Sequence, residues 1–371
     1  MEGATQFKWQ RAVVKVGSAL VRGDGAADPQ HYVARIAGFI EAALAQGKEI
    51  ILVSSGSVAA GKDHIAVYHQ PTIAEKQAMA AIGQMRMMAN WQQYFSRPCA
   101  QLLLTYGDLH HRTRYVNIKN TLRELLKHSA LPIVNENDTV AVNELKVGDN
   151  DNLAAYTAMI AQADTLFILS DIDGLFTADP RRDPGATKIP VVETITPDIH
   201  RLAGGAGSSV GTGGMQTKLQ AAEKCANSGI QTVIVNGRQD SVFEPLLQGV
   251  SPGTLFLAQQ SGQSARSQWL KHTLKSQGEV LVDEGAADAL LRRGASLLPS
   301  GIVDVIGQFH SGDAITVRTA QRVIAKGLAN YSAADLSQLK GLRTSQIATV
   351  LGYTRGDVAI HRDDLILLTG Q

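Results

Sequence analysis

The segment LPIVNENDTVAVNELKVGDNDNLAAYTAMIAQADTLFILSDIDG, residues 131–174, decides how the chain folds. An apolar run at 131–138 closes in polar residues, a helical run follows at 150–162, and a second apolar run at 164–171 closes in an acid. Short, non-alternating runs rich in β-branched residues fit strands buried on both faces, and a helix between two of them is a right-handed parallel crossover. The same unit recurs on either side. Strands are expected at 11–17 (RAVVKVG), 49–55 (EIILVSS), 100–105 (AQLLLT) and 231–237 (QTVIVNG). Helices are expected at 33–44, 74–95, 115–128 and 214–228, with a short one at 240–247. This alternation predicts an α/β fold with a largely parallel sheet.

The pattern changes near residue 258. AQQSGQSARSQ (258–268) reads as a linker, and 269–275 as a strand or short helix. From Gly278 the signals are short strands at 279–282, 302–306, 314–318 and 322–326, a helix at 284–292, a second helix capped by Ser332, and a last strand in HRDDLILL (361–368). A small mixed β-barrel is expected there. The chain therefore divides into a first domain over 1–258, a linker over 259–277 and a second domain over 278–371.

Composition removes several function classes. Among 371 residues, 35 Lys+Arg face 34 Asp+Glu, a balance unlike that of a protein coating a polyanion. Cys99 and Cys225 cannot form a disulfide framework and lack metal-ligand spacing, so both are expected as buried thiols, and no protein-held metal is expected. Four of the seven methionines, Met79, Met85, Met87 and Met88, fall in the 74–95 helix, as core or subunit-interface packing. No apolar run reaches the roughly 18 residues of a membrane span, and MEGATQFKWQRAVVKVG passes from a short polar lead directly into a strand. A cytoplasmic protein is expected.

Glycine accounts for 35 residues and is clustered, which marks tight turns and close approach to ligands. Lys15 stands in a buried strand pattern ahead of Gly17 and Ser18, as a lysine snorkelling to solvent or one contacting phosphate. Ser55, Gly56 and Ser57 lie where a strand gives way to a helix, as anion donors. Asn135 to Asp138 and then Lys146, Gly148, Asp149, Asn150, Asp151 and Asn152 exceed what helix capping needs and suit an amine-binding pocket. Asp171 closes a strand where a metal–nucleotide complex could be met. The run AGGAGSSVGTGGMQTKLQ (203–220) is a surface loop or a phosphate-wrapping one, with Lys218 at a polar loop–helix junction where its replacement is expected to leave folding intact.

The patterns G-x-S-x-G, G-x-x-x-x-G-K-[ST] and G-x-G-x-x-G are absent at the relevant places, and the calcium-loop register is missing. Two lysines, two glycine-rich segments and a strand-end aspartate without an evident general base suit phosphoryl transfer to a carboxylate, which is already ionised at neutral pH. The product would be an acyl phosphate.

On VVKVGS, SSGSVAAG, VNENDTVAVNELKVGDNDNLAA, SDIDGLFTADPR, GTGGMQTKLQAA, VDEGAADALLRRGASLLPSGI and VAIHRDDL, the chain resembles the glutamate 5-kinases of the amino-acid-kinase family, in the long bacterial form with a C-terminal PUA domain. The resemblance implies a three-layer αβα amino-acid-kinase fold followed by a PUA barrel. It also implies ATP-dependent phosphorylation of the γ-carboxylate of L-glutamate, the first step of proline biosynthesis. Lys15, Lys218 and Asp151 would be catalytic, Asp151 orienting the lysines. Ser55, Asn135, Asp138 and Asn150 would bind glutamate, Asp138 at the α-amino group and Asn150 at the carboxylate. Lys15, Gly17, Ser18, Ser170 and Asp171 would meet the nucleotide, together with the loop of Thr212, Gly213, Gly214, Met215, Gln216, Thr217 and Lys218.

Mg²⁺ would be bound mainly through the nucleotide phosphates. Proline is implied as a feedback inhibitor, and a dimer or tetramer as the assembly. The family pattern is closer to GTS and TSGA where this chain has GSA and SSGS, changes that keep small residues. Nucleic acid is not expected as a partner, since residues 278–371 hold nine Lys+Arg against ten Asp+Glu. Another carboxylate or carbamate kinase of the same fold, or a non-catalytic sensor or RNA-associated protein, are the alternatives.

Overall fold

A computed structural model describes residues 5–22, 29–66, 68–141, 150–203, 214–259 and 276–368. The expectations for Lys146, Gly148, Asp149, for the glycine run over 204–213 (Thr212 and Gly213 included) and for 269–275 lie outside the described residues. Two compact units comprise Met1–Leu109 with Lys119–Gly262, and His110–Ile118 with Gln263–Gln371.

Up to Phe256 the chain runs β1 (Thr5–Gln6), β2 (Arg11–Val16), α1 (Ser18–Arg22), α2 (Pro29–Ala45), β3 (Glu49–Ser54), α3 (Ser57–Gly61), α4 (Ile73–Gln92), β4 (Cys99–Leu104), α5 (Tyr106–His110), α6 (Arg112–Lys127), β5 (Leu131–Glu136), α7 (Asn150–Ala161), β6 (Thr165–Ser170), β7 (Val191–Val192), α8 (Pro197–Ala203), α9 (Met215–Asn227), β8 (Gln231–Asn236), α10 (Phe243–Leu247), β9 (Val250–Ser251) and β10 (Thr254–Phe256). Among the described residues its main sheet has the order β4-β5-β3-β2-β6-β8-β10-β7. The strands from β4 to β8 are parallel, and β10 runs antiparallel to β8. Their apolar runs are buried throughout β6 and nearly so in β2 and β3, as continuous Val/Ile/Leu sequences require.

The chain passes from β2 to β3 on one side and later places β6 on the other. The carboxyl ends of β2, β3 and β6 thereby meet at a switch point, where open parallel sheets receive ligands. The aromatic core lies at the opposite end of β2, where Trp9 and Phe39 each meet the ring of Phe167 edge-on.

The helix α4 starts at a capping box in which Thr72 and Glu75 exchange hydrogen bonds. It crosses α3 in backbone contact: a Cβ on Gly83 would stand 1.9 Å from the Ser57 carbonyl oxygen, and one on Gly61 the same distance from that of Met79. Only glycine permits this approach, and it fixes where α3 begins. Of the methionine stripe, Met79 and Met87 are core, whereas Met85 is exposed. Cys225 is buried but Cys99 is only half-buried, because it opens β4 at the edge of the sheet. Burial pushes the Cys225 thiol up to about 12.

The second unit is built on β11 (Gly278–Val282), β12 (Ile302–Gly307), β13 (Ala314–Arg318), β14 (Val323–Leu328) and β15 (Leu365–Leu367), ordered β12-β11-β13-β14-β15. Among the described residues of this unit, only β11 and β13 pair in parallel. Ser332 caps the helix Ala333–Leu339 through a box with Asp335. His110–Ile118 belongs to this unit, where Val116 is buried with Ala314 and Leu328. A linear reading cannot see that, because the polar sequence of α6 does not tell which partner covers its few apolar residues.

Candidate active site

β2 carries Lys15 into the sheet interior between Val53 of β3 and Ile168 of β6, so it is a central-strand lysine rather than an edge one. Its head cannot snorkel, being buried, and lies 2.6 Å from Asp151 Oδ1. Asp151 is in the first turn of α7 and fully buried. Lys218, in the first turns of α9, is buried too and places its Nζ 3.1 Å from Asp151 Oδ2. Thr217 donates its hydroxyl to the same oxygen at 2.9 Å, or to the Gly214 carbonyl at 2.8 Å. Burial pushes the Asp151 carboxyl up, but the Lys15 and Lys218 ammoniums and the hydrogen bonds outweigh it and hold the group well below the usual carboxylate range. Two cations thus share one carboxylate that stays ionised.

The surrounding backbone suits an anion. Gly17 follows β2, and a Cβ there would meet the Leu169 carbonyl at 3.2 Å and approach Lys15 Nζ to 4.0 Å. Ser18 opens α1. Gly214 precedes α9 without a side-chain cap, leaving its first-turn N–H groups to other acceptors. Met215 and Gln216 occupy that same first turn, with Gln216 exposed. Ser170 ends β6 buried and donates to the exposed Asp171 at 3.2 Å.

A second cluster adjoins the first through the sequence neighbours Asn150 and Asp151. Asn150 Nδ2 has three acceptors in reach: Ser55 Oγ at 2.8 Å, Asn135 Oδ1 at 2.9 Å and the Ser54 carbonyl at 3.1 Å. A Ser55 hydroxyl that accepts from Asn150 keeps its own proton to donate outward. Gly56, at φ 114°, turns the chain from β3 into α3, and Ser57 donates to Asp138 at 2.7 Å. Burial pushes the Asp138 carboxyl up, and the Ser57 hydrogen bond offsets part of that.

Sequence reasoning assigns Ser57 only to the anion-binding turn and misses Gln84 altogether. Gln84 accepts from Asn135 Nδ2 at 2.9 Å. Its signal was available: it shares the helical face of Met79, Ala80, Gly83, Met87 and Trp91, which is the buried one.

The amino acid kinase family model matches residues 10–236, and a PUA domain model matches 278–351. The chain is 55% identical over 363 residues to a glutamate 5-kinase of Idiomarina loihiensis, covering 97% of this chain and 98% of that protein. The chain belongs to the glutamate 5-kinase family. Its likeness to the glutamate 5-kinases of Salinibacter ruber (51%, covering 97% of each) and Xanthomonas oryzae pv. oryzae (47%, covering 96% of this chain and all of that protein) is of the same extent. A family of kinases fits the two-lysine cluster, and an amino-acid acceptor fits the amide and carboxylate cluster beside it. No helix among the described residues is long and apolar enough to cross a membrane.

Proposed function

We propose that the chain transfers the γ-phosphoryl group of ATP to the γ-carboxylate of L-glutamate, giving L-glutamate 5-phosphate and ADP for proline biosynthesis. The observation that carries this reading is the buried Lys15–Asp151–Lys218 trio, placed beside a pocket of amides and one carboxylate. A glutamate γ-oxygen forms the new O–P bond while the bond to the β-phosphate oxygen breaks, so no proton leaves the acceptor. Mg²⁺ bound mainly through the nucleotide phosphates would neutralise part of their charge.

Asp151 holds both lysines in place, so their ammoniums are fixed where charge develops on the transferring group and need no reorganisation. Lys15, Gly17, Ser18, Ser170, Asp171 and the segment Thr212–Lys218 take the nucleotide. Asp138 receives the α-ammonium, and Ser55 donates to the acceptor's carboxylate with the first turn of α7, where Asn150 lies. Asn135 holds the Asn150 amide. Proline presents the same α-carboxylate and a charged amine without a γ-carboxylate, and so blocks this pocket. A cytoplasmic homo-oligomer, with a PUA module (278–371, after a linker at 259–277) that does not bind nucleic acid, completes the reading.

Trapping of the acyl phosphate by hydroxylamine over an acceptor panel with Mg-ATP tests it. L-glutamate is expected to give hydroxamate and N-acetylglutamate none, because an acetamide leaves Asp138 unpaired, a loss of about 1–3 kcal/mol. Comparable turnover of the acetylated acceptor overturns the reading.

A further inference from the structure

Gln84 is an amide in a core position. It is only 8% exposed, on the α4 face otherwise made of Met79, Ala80, Gly83, Met87 and Trp91. Its Nε2 is buried and has no hydrogen-bond partner among the described residues. A methionine would fill the same volume without that desolvation cost, so stability does not account for a glutamine here.

Its Oε1 has a defined task. It accepts from Asn135 Nδ2 at 2.9 Å, and a carboxamide whose nitrogen is held on one side turns its oxygen to the other. Asn135 Oδ1 accordingly faces Asn150 Nδ2 at 2.9 Å, and the same Nδ2 reaches Ser55 Oγ at 2.8 Å. Donor and acceptor senses are therefore set in series from Gln84 to Asn135, to Asn150, to Ser55. Without Gln84, Asn135 is free to turn its NH₂ toward the NH₂ of Asn150, two donors facing each other. Asn150 then loses an acceptor, and Ser55 loses the donor that keeps its hydroxyl proton directed outward.

We infer that Gln84 is a positioning residue for the acceptor amino acid: it sets the amide orientation of Asn135 and, through Asn150, the hydrogen-bonding sense of Ser55. The inference rests on the reading of Asn135, Asn150 and Ser55 as the glutamate pocket. It separates the two substrates, because no hydrogen bond in the series touches Lys15, Lys218 or the start of α9.

The test is steady-state kinetics of the full chain with hydroxamate detection, for Gln84→Met, Gln84→Glu, Asn135→Ala and the double variant Gln84→Met/Asn135→Ala. Each is first checked for cooperative thermal unfolding. Gln84→Met is expected to raise the glutamate KM tenfold or more with the ATP KM within twofold. Gln84→Glu keeps an acceptor oxygen for Asn135 and is expected to stay within about threefold of the parent in glutamate KM, which also covers the case in which the methionine variant fails to fold. Adding Gln84→Met to Asn135→Ala is expected to change nothing further, as for residues acting through one another.

An unmoved glutamate KM in Gln84→Met overturns the inference. So does a parallel rise in both KM values, multiplying effects in the double variant, or a glutamate KM in Gln84→Glu raised as far as in Gln84→Met. A parent chain that forms no hydroxamate from glutamate overturns the reading beneath it instead, so the two failures are distinguishable.

Discussion

Lys15 and Lys218 approach opposite oxygens of one buried carboxylate, Lys15 at 2.6 Å from Asp151 Oδ1 and Lys218 at 3.1 Å from Oδ2. Asp151 thereby pins both ammoniums. Lys218→Ala is expected to lower kcat about 100-fold or more, the usual scale for deleting one donor to a developing charge. Lys15→Ala is expected to damage both kcat and the ATP KM. The burial of Lys218 adds a consequence that its place at a loop–helix junction hides: truncation leaves Asp151 undercompensated, at a cost of about 3 kcal/mol or more. Kinetics and denaturant unfolding of the same preparation check both effects, and a Lys218→Ala protein with parental kcat would contradict the role given to it.

Asp151→Asn separates charge from shape. The native carboxyl is held below its ordinary value, so the unfolded chain binds a proton more readily than the folded one as acid is added. The stabilisation is complete above about pH 4 and drains away as pH falls toward the lowered value. Asp151→Asn is expected to be less stable than the parent at pH 7, with the difference in Tm narrowing below about pH 4. A Tm difference constant down to pH 2 would show that the carboxylate charge contributes nothing.

Asp138 has the opposite sign. Its carboxyl is pushed up by burial, so between the ordinary aspartate value and the raised one the folded chain binds more protons, and stability falls as pH rises. At pH 7 Asp138→Asn is expected to be at least as stable as the parent, while glutamate and proline both lose affinity. In the parent, the glutamate KM is expected to rise on acidification through the raised Asp138 value, and in Asp138→Asn to be high throughout. Proline titrations at several glutamate concentrations check the shared pocket; inhibition that glutamate cannot relieve would place proline elsewhere.

Gly83→Ala tests the frame behind the pocket. The added Cβ meets the Ser57 carbonyl, backbone that cannot step aside without moving α3. A loss of about 1–3 kcal/mol is expected from the overpacking. Because Ser57 holds Asp138, the glutamate KM is expected to rise more than the ATP KM. Equal change in both, measured at saturating co-substrate, would mean that α3 does not carry the acceptor site.

Much of this was legible in the residues. The strands β2, β3, β5, β6 and β8 announce themselves as continuous apolar runs, and a lysine inside one of them has to find a partner. Lys218 is marked by the glycine-rich run before it, but its convergence with Lys15 on Asp151 depends on the family resemblance, because no local pattern ties residue 151 to residue 218. The two- and three-residue strands β1, β7, β9 and β10 are too short to have a period, and their pairing is set by tertiary contacts. Gln84 stayed hidden because a polar residue on a helix is ordinarily assigned to solvent, and only the positions of Met79, Met87 and Trp91 place it inside.

The order of the site along the chain bears on how the protein is made. The ribosome delivers Lys15 first, then Asp151, and Lys218 only with α9. Until then Asp151 lacks the Lys218 ammonium that meets its Oδ2, and β6 waits for β8 on its open side. A nascent chain halted before α9 therefore exposes both an undercompensated acid and an unpaired strand edge, so closure of the central sheet is a late event that couples completion of synthesis to completion of the site.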